Sequence, residues 1–206
     1  EGAEVILDED VPLGFYIASK NPFLDVSEND WFYNYVMFAY THGLMIGTAS
    51  DMFSPNNPIT RAMIVTILYR MEGSPEVAGG SEFTDVPDGQ WYTDAVIWAA
   101  ENEIVRGYPE GDFRPNDNIT REQFATILYG YANYKEFDTS SGGEVELSDY
   151  TDADEIHDYA VEPMKWANAE GLITGRTATT LVPLGNATRA EAATIIMRFI
   201  ESVTIA

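Results

Sequence analysis

The sequence predicts an all-α fold built from three copies of one helix–loop–helix unit. The phrase "ITRAMIVTILYR" at residues 59–70 recurs as "ITREQFATILYG" at 119–130 and as "ATRAEAATIIMR" at 187–198. The glycines and prolines upstream of these phrases keep the same offsets as the arginines within them, so the three blocks align without a gap. A repeat of this length is the signature of an architecture assembled from like units. The aligned residues are Gly47, Gly107 and Gly175; Pro55, Pro115 and Pro183; and Arg61, Arg121 and Arg189.

The repeat divides the chain into segments. Residues 21–76 form copy one, 82–134 copy two and 145–203 copy three, and the stretches between them are rich in Gly, Ser and acidic residues, as is typical of linkers. Residues 1–20 contain a short β-like run and resemble the tail of a preceding extracellular module. Because two short helices have little to pack against alone, we expect the three copies to pack together.

The first helix of each copy is predicted from apolar residues at helical spacing. In copy two, Trp91, Ala95, Trp98 and Asn102 fall on one stripe. This helix is expected to end near "GLMIG", "EIVRG" or "GLITG", where the final Gly would form a turn that other residues resist.

The second helix of each copy is predicted to begin after a Pro-containing loop, with a threonine as its N-cap. Thr60, Thr120 and Thr188 hold this position, and a Thr hydroxyl can accept a hydrogen bond from an unpaired N–H of the first turn. Gln123 and Glu191 are placed to complete capping boxes in copies two and three. Apolar residues such as Ile64, Leu68, Phe124 and Leu128 follow at the spacing of a core-facing stripe.

Composition excludes several classes of partner. The chain has 34 acidic and 11 basic residues, a net charge of −23, and no Cys. Such an acidic surface repels phosphate backbones and anionic lipids, so we expect neither nucleic-acid binding nor membrane association. No apolar run approaches the roughly 20 residues of a membrane-spanning helix, so no membrane insertion is expected.

No constellation typical of catalysis or metal binding stands out. His42 and His157 occupy non-equivalent positions without Cys nearby, and "DYTDADE" at 149–155 lacks the Gly and terminal Glu of a calcium loop. No nucleophile elbow, phosphate-binding loop or dinucleotide fingerprint occurs. We therefore expect no enzymatic activity, no catalytic residues, no cofactor and no metal site.

The stretch "FTDVPDGQWYTDAVIWAAENEIVRGYPEGDFRPNDNITREQFATILY" at 83–129 resembles an S-layer homology repeat. The shared landmarks are an F-x-D-V opening, an aromatic first helix, a G-[IL]-x-x-G turn, F-x-P, and a T-R-A-E type helix start. Copy one matches at "FLDV" (23–26), at Gly43 to Gly47, at "FSP" (53–55) and at "ITRA" (59–62), whereas copy two has Glu103 at the first turn Gly. Copy three is the most divergent: "LSDY" at 147–150 is taken as its opening, Tyr159 replaces Trp, and Leu181 replaces Phe.

This resemblance implies a triplet module whose three repeats form a pseudo-threefold, trefoil-like assembly around a central helical bundle. It implies an extracellular location at the cell wall of a Gram-positive bacterium. The module would hold a secreted protein there, without a covalent bond, by binding a secondary cell-wall polysaccharide in grooves between repeats. That polymer is anionic and often bears pyruvate ketals, and cargo domains would lie on the same chain. The alternative is a protein–protein assembly module of a surface layer or extracellular complex.

The candidate ligand-binding residues occupy equivalent positions in the three copies. An Arg at a helix start is a permanently charged donor fork, suited to the carboxylate of a ketal, beside the partial positive charge of the helix terminus. The Arg could instead pair with acids between copies, the Asp could cap a turn, the aromatic residue could belong to the core, and the Gly could serve only the turn. The candidates are Asp25, Trp31, Gly47 and Arg61; Asp85, Trp91, Gly107 and Arg121; and Asp149, Tyr159, Gly175 and Arg189.

Copy two keeps the family pattern best among its groove residues, and copy three has lost both its Trp and its Phe. If each Arg serves the groove of its own copy, Arg121 should contribute more to glycan affinity than Arg189, and folding should survive its replacement.

Overall fold

A computed structural model of the chain describes residues 20–204. Within this range the chain forms α-helices and three short 3₁₀ segments, with isolated β-bridges but no strand, which confirms the all-α prediction. None of the helices in this range is long and apolar enough to cross a membrane. The helices are α1 (Tyr33–Thr41), α2 (Arg61–Met71), α3 (Thr93–Glu101), α4 (Arg121–Tyr134), α5 (Val161–Ala169) and α6 (Arg189–Thr204). The expectation for residues 1–20 falls, apart from Lys20, outside the described residues.

The predicted threonine caps begin the second helix of every copy. The hydroxyl oxygen of Thr60 accepts from Met63 N at the start of α2, and that of Thr120 accepts from Gln123 N at the start of α4. In α4 the Gln123 side chain accepts from Thr120 N, which completes the capping box. At the start of α6 the Glu191 side chain accepts from Thr188 N and the Thr188 hydroxyl accepts from Glu191 N, which forms a second capping box. These caps satisfy donors that the first helical turn leaves unpaired.

The copies interlock. The first helix of each copy packs on the second helix of the preceding copy, so that α3 lies on α2, α5 on α4, and α1 on α6. The last of these contacts returns from copy three to copy one and closes a circle. The apolar stripes of α2, α4 and α6 form a single core, within which Ile64, Leu68, Phe124, Leu128 and Ile196 are fully buried. The three copies therefore share a core that no copy could form alone.

A ring of backbone hydrogen bonds marks the pseudo-threefold axis. Ile59 N donates to Ala187 O, Ile119 N donates to Ile59 O, and Ala187 N donates to Ile119 O, each at 3.0 Å. All three residues are fully buried. Buried amides need partners, and here every copy supplies one donor and one acceptor to its neighbours.

The first helices begin later than their apolar spacing predicted. α3 starts at Thr93, so Trp91 lies before it and leaves the stripe formed by Ala95 and Trp98. Tyr92 is the buried aromatic residue at this point, while Trp91 faces solvent. The expectation that Trp91 continues the buried stripe is wrong, because residue 91 precedes the helical geometry on which the spacing argument depends.

The structure also corrects the role predicted for the final Gly in the turn after each first helix. The final Gly of each turn motif, such as Gly107, does not carry a positive φ; that conformation belongs to the first position, occupied by Gly43, Glu103 and Gly171. A Cβ on Gly107 would lie 2.4 Å from the Phe83 ring and 2.8 Å from Asp112 O. The final Gly is therefore required by close packing rather than by the turn conformation.

Because the copies share one core and one backbone ring, we expect residues 20–204 to unfold as a single unit. Urea unfolding should give one transition, with coincident midpoints for tryptophan fluorescence and far-ultraviolet circular dichroism. Two or three separated transitions would contradict this, since they would mean that individual copies hold their structure alone.

Candidate functional site: three grooves between the copies

Each helix-start arginine reaches into the next copy around the ring. Arg61 Nε donates to Phe113 O at 2.9 Å, Arg121 Nε to Leu181 O at 2.9 Å, and Arg189 Nε to Phe53 O at 2.8 Å. All three arginines are buried. Of the alternatives left open by the sequence, a role in holding the copies together is therefore present in the structure, although the common acceptor is a loop carbonyl rather than an acid. Arg121 alone of the three also contacts an acid, Glu191, at 3.3 Å.

The helix N-termini behind these arginines are already occupied. In α2, Arg61 N donates to Asp117 O and Ala62 N donates to Pro115 O, both at 3.0 Å, and the same pair of bonds occurs at α4 and α6. With the third amide held by the Thr cap, these first-turn N–H groups already have acceptors. A ligand carboxylate would thus meet the Arg side chain and not the backbone amides.

A carboxylate fixes the loop that each arginine contacts. Asp25 accepts from Phe53 N and Ser54 N, and Asp85 accepts from Phe113 N and Arg114 N, at 2.7–2.8 Å. Ser54 and Arg114 have φ of 58° and 60°, in the left-handed region that non-Gly residues rarely adopt. The Asp residues thus clamp a distant strained loop in their own copy, rather than capping the turn that follows them.

In copy three this carboxylate is Asp152, not Asp149. Asp152 accepts from Leu181 N and Val182 N, both at 2.8 Å, whereas Asp149 is exposed. Tyr150 packs against Gly175 as Phe83 packs against Gly107. The opening motif of copy three is therefore "YTDA" at 150–153, one residue further from Tyr159 than "FTDV" is from Trp91, and the alignment to 147–150 is wrong.

Three grooves lie between the copies, and each combines candidates from all three. Groove 1 contains Gly47, Arg189 and Trp91; groove 2 contains Gly107, Arg61 and Tyr159; groove 3 contains Gly175, Arg121 and Trp31. In each, the glycine loop comes from one copy, the arginine from the preceding copy and the aromatic residue from the following copy. The premise that Arg121 serves the groove of copy two is therefore wrong, since it lies in groove 3 against the loop of copy three.

The aromatic candidates stand at the groove rims. Trp31 is 64% exposed, Trp91 58% and Tyr159 53%. The alternative that they belong to the core is thus wrong, because Phe32, Tyr92 and Ala160 take the buried positions. Large aromatic faces that are left open beside an arginine are available to contact a ligand.

The grooves collect nearly all the arginines of this acidic chain. Seven of its eight arginines line them, against three of the acidic residues in the described range 20–204. Burial lowers the pKa of Arg61, Arg121 and Arg189, but an arginine remains charged because its ordinary pKa is so high. The seven are Arg61 and Arg106 in groove 2, Arg70 and Arg189 in groove 1, and Arg121, Arg176 and Arg198 in groove 3.

The grooves differ in how their arginines are paired. In groove 3, Glu191 accepts from both Arg121 and Arg176. In groove 1, Arg189 donates to Ile46 O at 2.6 Å, and the only charged residues in the lining are Arg70 and Arg189. In groove 2, within the described part of the chain, Arg61 Nε has a partner but its Nη atoms have none. Grooves 1 and 2 thus present arginines that are not paired with a carboxylate.

Sequence reasoning missed the buried Glu122. Its carboxylate accepts from the amide of His157 at 3.1 Å and from Tyr159 Oη at 2.8 Å, and it lies 2.7 Å from Nδ1 of His157. Burial and the contact with Glu122 raise the pKa of Tyr159. Ala62 and Ala190 take the equivalent positions, so the departure of "TREQ" from "TRAE" was the available signal. Glu122 fixes Tyr159 at the rim of groove 2.

The residues 20–204 contain no group of three or more His, Asp or Glu side chains placed to hold a metal ion. The acidic stretch at 149–155 instead supplies Asp152 to the loop clamp described above.

A family model described as "S-layer homology domain" matches residues 22–62, 82–125 and 149–193. These ranges cover more than half of the chain and fall one in each copy. The chain belongs to the S-layer homology family. As a member of this family, it is a module of a cell-surface protein.

The relatives of this chain carry matching repeats as a small part of much longer proteins. The chain is 33% identical over 164 residues to the "Surface-layer 125 kDa protein" of Lysinibacillus sphaericus, covering 78% of this chain and 13% of that protein. It is 30% identical over 160 residues to a "Cellulosome-anchoring protein" of Acetivibrio thermocellus, covering 75% and 35%. An "Endoglucanase" of Bacillus sp. (strain KSM-635) is 31% identical over 175 residues, covering 85% and 18%. The chain thus spans a minor part of each relative.

The corrected alignment predicts different effects for two neighbouring carboxylates. Asp152→Ala should lower the free energy of unfolding by about 1–3 kcal/mol, because Leu181 N and Val182 N lose their acceptor. Asp149→Ala should leave it unchanged within about 0.5 kcal/mol, as is usual for an exposed residue. Urea unfolding of both variants checks this, and equal losses would contradict the assignment.

Glu191 should link stability to pH. Burial alone would raise its pKa, but hydrogen bonds from Arg176 and Thr188 N and the charge of Arg121 outweigh burial and lower it. The stabilisation is therefore present above the ordinary Glu pKa of about 4.3 and is lost as pH falls through the lower value of the folded state. Glu191→Gln should cost about 1–2 kcal/mol at pH 7 and flatten the loss of stability below about pH 4.5. Chemical unfolding between pH 3 and 7 measures both effects, and an unchanged pH profile would contradict the role of Glu191.

Proposed function

We propose that this chain anchors a surface protein to the cell wall, without a covalent bond, by binding an anionic secondary cell-wall polysaccharide in its grooves. The observation that carries the proposal is the segregation of charge: seven of eight arginines line three grooves in a chain of net charge −23. An acidic body repels polyanions at large, whereas the linings of grooves 1 and 3 carry a net positive charge and that of groove 2 is balanced.

The chemistry of the grooves fits a sugar that bears a carboxylate, such as a pyruvate ketal. A guanidinium binds a carboxylate through two parallel N–H donors. In groove 1, Arg189 forms part of the lining beside the exposed Trp91, so the acidic group would meet the arginine while the sugar ring lies against the indole. Groove 2 offers Arg61 beside Tyr159 in the same relation. The names of the surface-layer and cellulosome-anchoring relatives support the anchoring role.

Two further parts of the proposal concern the rest of the protein. The cargo would lie on the same chain, since the chain covers only 13–35% of the surface-layer and anchoring relatives. The module itself would bind and not catalyse, since the matched repeats are a minor part of the relatives that are named for catalysis. The relatives named as an endoglucanase and an exoglucanase are long proteins, and the part that matches this chain is 18% and 16% of their lengths.

The rim tryptophan gives the cleanest test. Trp91→Ala should weaken binding of a purified pyruvylated wall polysaccharide at groove 1 by up to about tenfold. This factor corresponds to the roughly 0.5–1.5 kcal/mol that an aromatic contact contributes to the binding free energy. The melting temperature of the variant should stay the same, because Trp91 is largely exposed. Arginine variants are less suitable, since each arginine also holds a neighbouring loop. Isothermal titration calorimetry and thermal melting of the two proteins measure both quantities.

Sedimentation with wall sacculi distinguishes the proposal from a protein–protein assembly module. The wild-type chain should sediment with intact sacculi and remain in solution after chemical removal of the secondary polymer. Retention on stripped sacculi, or self-association in sizing columns without binding to sacculi, would overturn the proposal in favour of assembly.

A further inference from the structure

Groove 2 is much larger than its two counterparts. Its volume is about 720 Å³, against about 310 Å³ for groove 1 and 250 Å³ for groove 3. The three grooves are built from equivalent elements, so the difference must come from the side chains that differ between copies.

The decisive position is Gly130 on α4. The equivalent residues of copies one and three are Arg70 and Arg198, which line grooves 1 and 3 and donate to Leu44 O and Gly171 O respectively. In copy two no side chain occupies this position, and a Cβ on Gly130 would lie 2.5 Å from Ile104 O. Ile104 O therefore fills the space of a Cβ at Gly130, and groove 2 lacks the long charged side chain that extends from this position in the other two grooves.

The face of α4 that lines groove 2 is uncharged and mixes polar residues with the apolar Ile127 and the aromatic Tyr129. Gln123, Thr126, Gly130 and Asn133 line it in succession, a stripe that runs for about 15 Å along the helix. Thr126 is half-buried, whereas its counterparts Thr66 and Thr194 are buried. The Thr126 hydroxyl donates to Glu122 O and keeps its oxygen as an acceptor, and the exposed Asn133 amide can both donate and accept, so both can bind the hydroxyls of a neutral sugar.

Net charge distinguishes groove 2 as well. Its two arginines, Arg61 and Arg106, are balanced by Glu103 and Glu162, and the buried Glu122 lies directly behind Tyr159. Groove 1 has arginines and no acid in its lining. Groove 2 therefore offers Arg61, whose Nη atoms have no hydrogen-bond partner among the described residues, in a lining whose charges balance.

We propose that groove 2 binds a longer stretch of glycan than the other grooves, with the acidic sugar at Arg61 and neutral sugars along α4 from Thr126 to Asn133. The neutral-sugar subsite exists because Gly130 replaces the arginine of the other copies. This inference rests on the proposed function, since it takes Arg61 and Tyr159 as the place where the ketal-bearing sugar binds.

The test compares two probes: a methyl hexoside bearing a pyruvate ketal, and a trisaccharide in which two neutral hexoses follow that sugar. The amides of Gly47, Gly107 and Gly175 report the three grooves separately in ¹H–¹⁵N spectra. At Gly107 the trisaccharide should bind about tenfold more tightly than the monosaccharide, a difference of about 1.4 kcal/mol. At Gly47 and Gly175 the two probes should bind alike.

A blocking variant at the far end of the stripe isolates the subsite. Asn133→Trp, at an exposed position, should abolish the gain from the longer probe at Gly107 and leave monosaccharide affinity unchanged. Glu201→Trp, at the equivalent position of α6, is the matched control and should change neither. Gly130 itself is unsuitable for substitution because any side chain there would strike Ile104 O.

The outcomes separate the two proposals. Monosaccharide binding without any gain from the trisaccharide, or an equal gain in all three grooves, overturns the subsite and leaves the proposed function intact. A gain that persists in Asn133→Trp also overturns it. If the trisaccharide alone binds, and only at Gly107, the neutral subsite stands and recognition of the ketal by the arginines falls.

Discussion

The start of each central helix depends on a loop from the next copy. The first amides of α2, α4 and α6 donate to carbonyls of the neighbouring Pro-containing loop, and the arginine at the same helix start donates to the carbonyl just before it. A short helix whose terminal donors are unpaired is costly to bury. Since the third copy donates back to the first, the requirement of each helix is met only when all three copies are present.

The grooves follow from this ring rather than being added to it. An arginine that crosses to the next copy lies beside that copy's glycine turn, and the segment just before the first helix of the copy after brings its aromatic residue to the same place. Each groove thus assembles one residue from each copy, as Gly47, Trp91 and Arg189 show. The Asp clamp completes the arrangement, because it holds the loop that the arginine needs as acceptor. The candidate ligand sites and the stability of the fold therefore share the same arginines.

The sequence was sufficient for what is local and periodic. The recurrence of one phrase along the chain predicted the three copies. The threonine caps and the buried stripes of the second helices depend on neighbours within a few residues, and the structure confirms them. The partner of each arginine depends on the order of copies around the axis, which no spacing reveals. Trp91 was misjudged since a helix start two residues later turns a buried stripe position into an exposed one. Asp152 was missed because a single inserted residue moved it away from the aligned position.

Copy two shows how the grooves can diverge while the ring stays the same. The arginine-to-carbonyl bond, the paired helix-start amides and the Asp clamp are present in every copy, counting Asp152 in copy three. The substitutions particular to copy two, Glu103, Glu122 and Gly130, all lie at or behind groove 2. Glu103 adopts a φ of 56° where the other copies have Gly, Glu122 positions Tyr159, and Gly130 leaves groove 2 without the arginine that lines the other two grooves. None of these three residues supplies a side chain to the arginine bonds or the Asp clamps of the ring, so groove 2 is free to change its ligand without a change of fold.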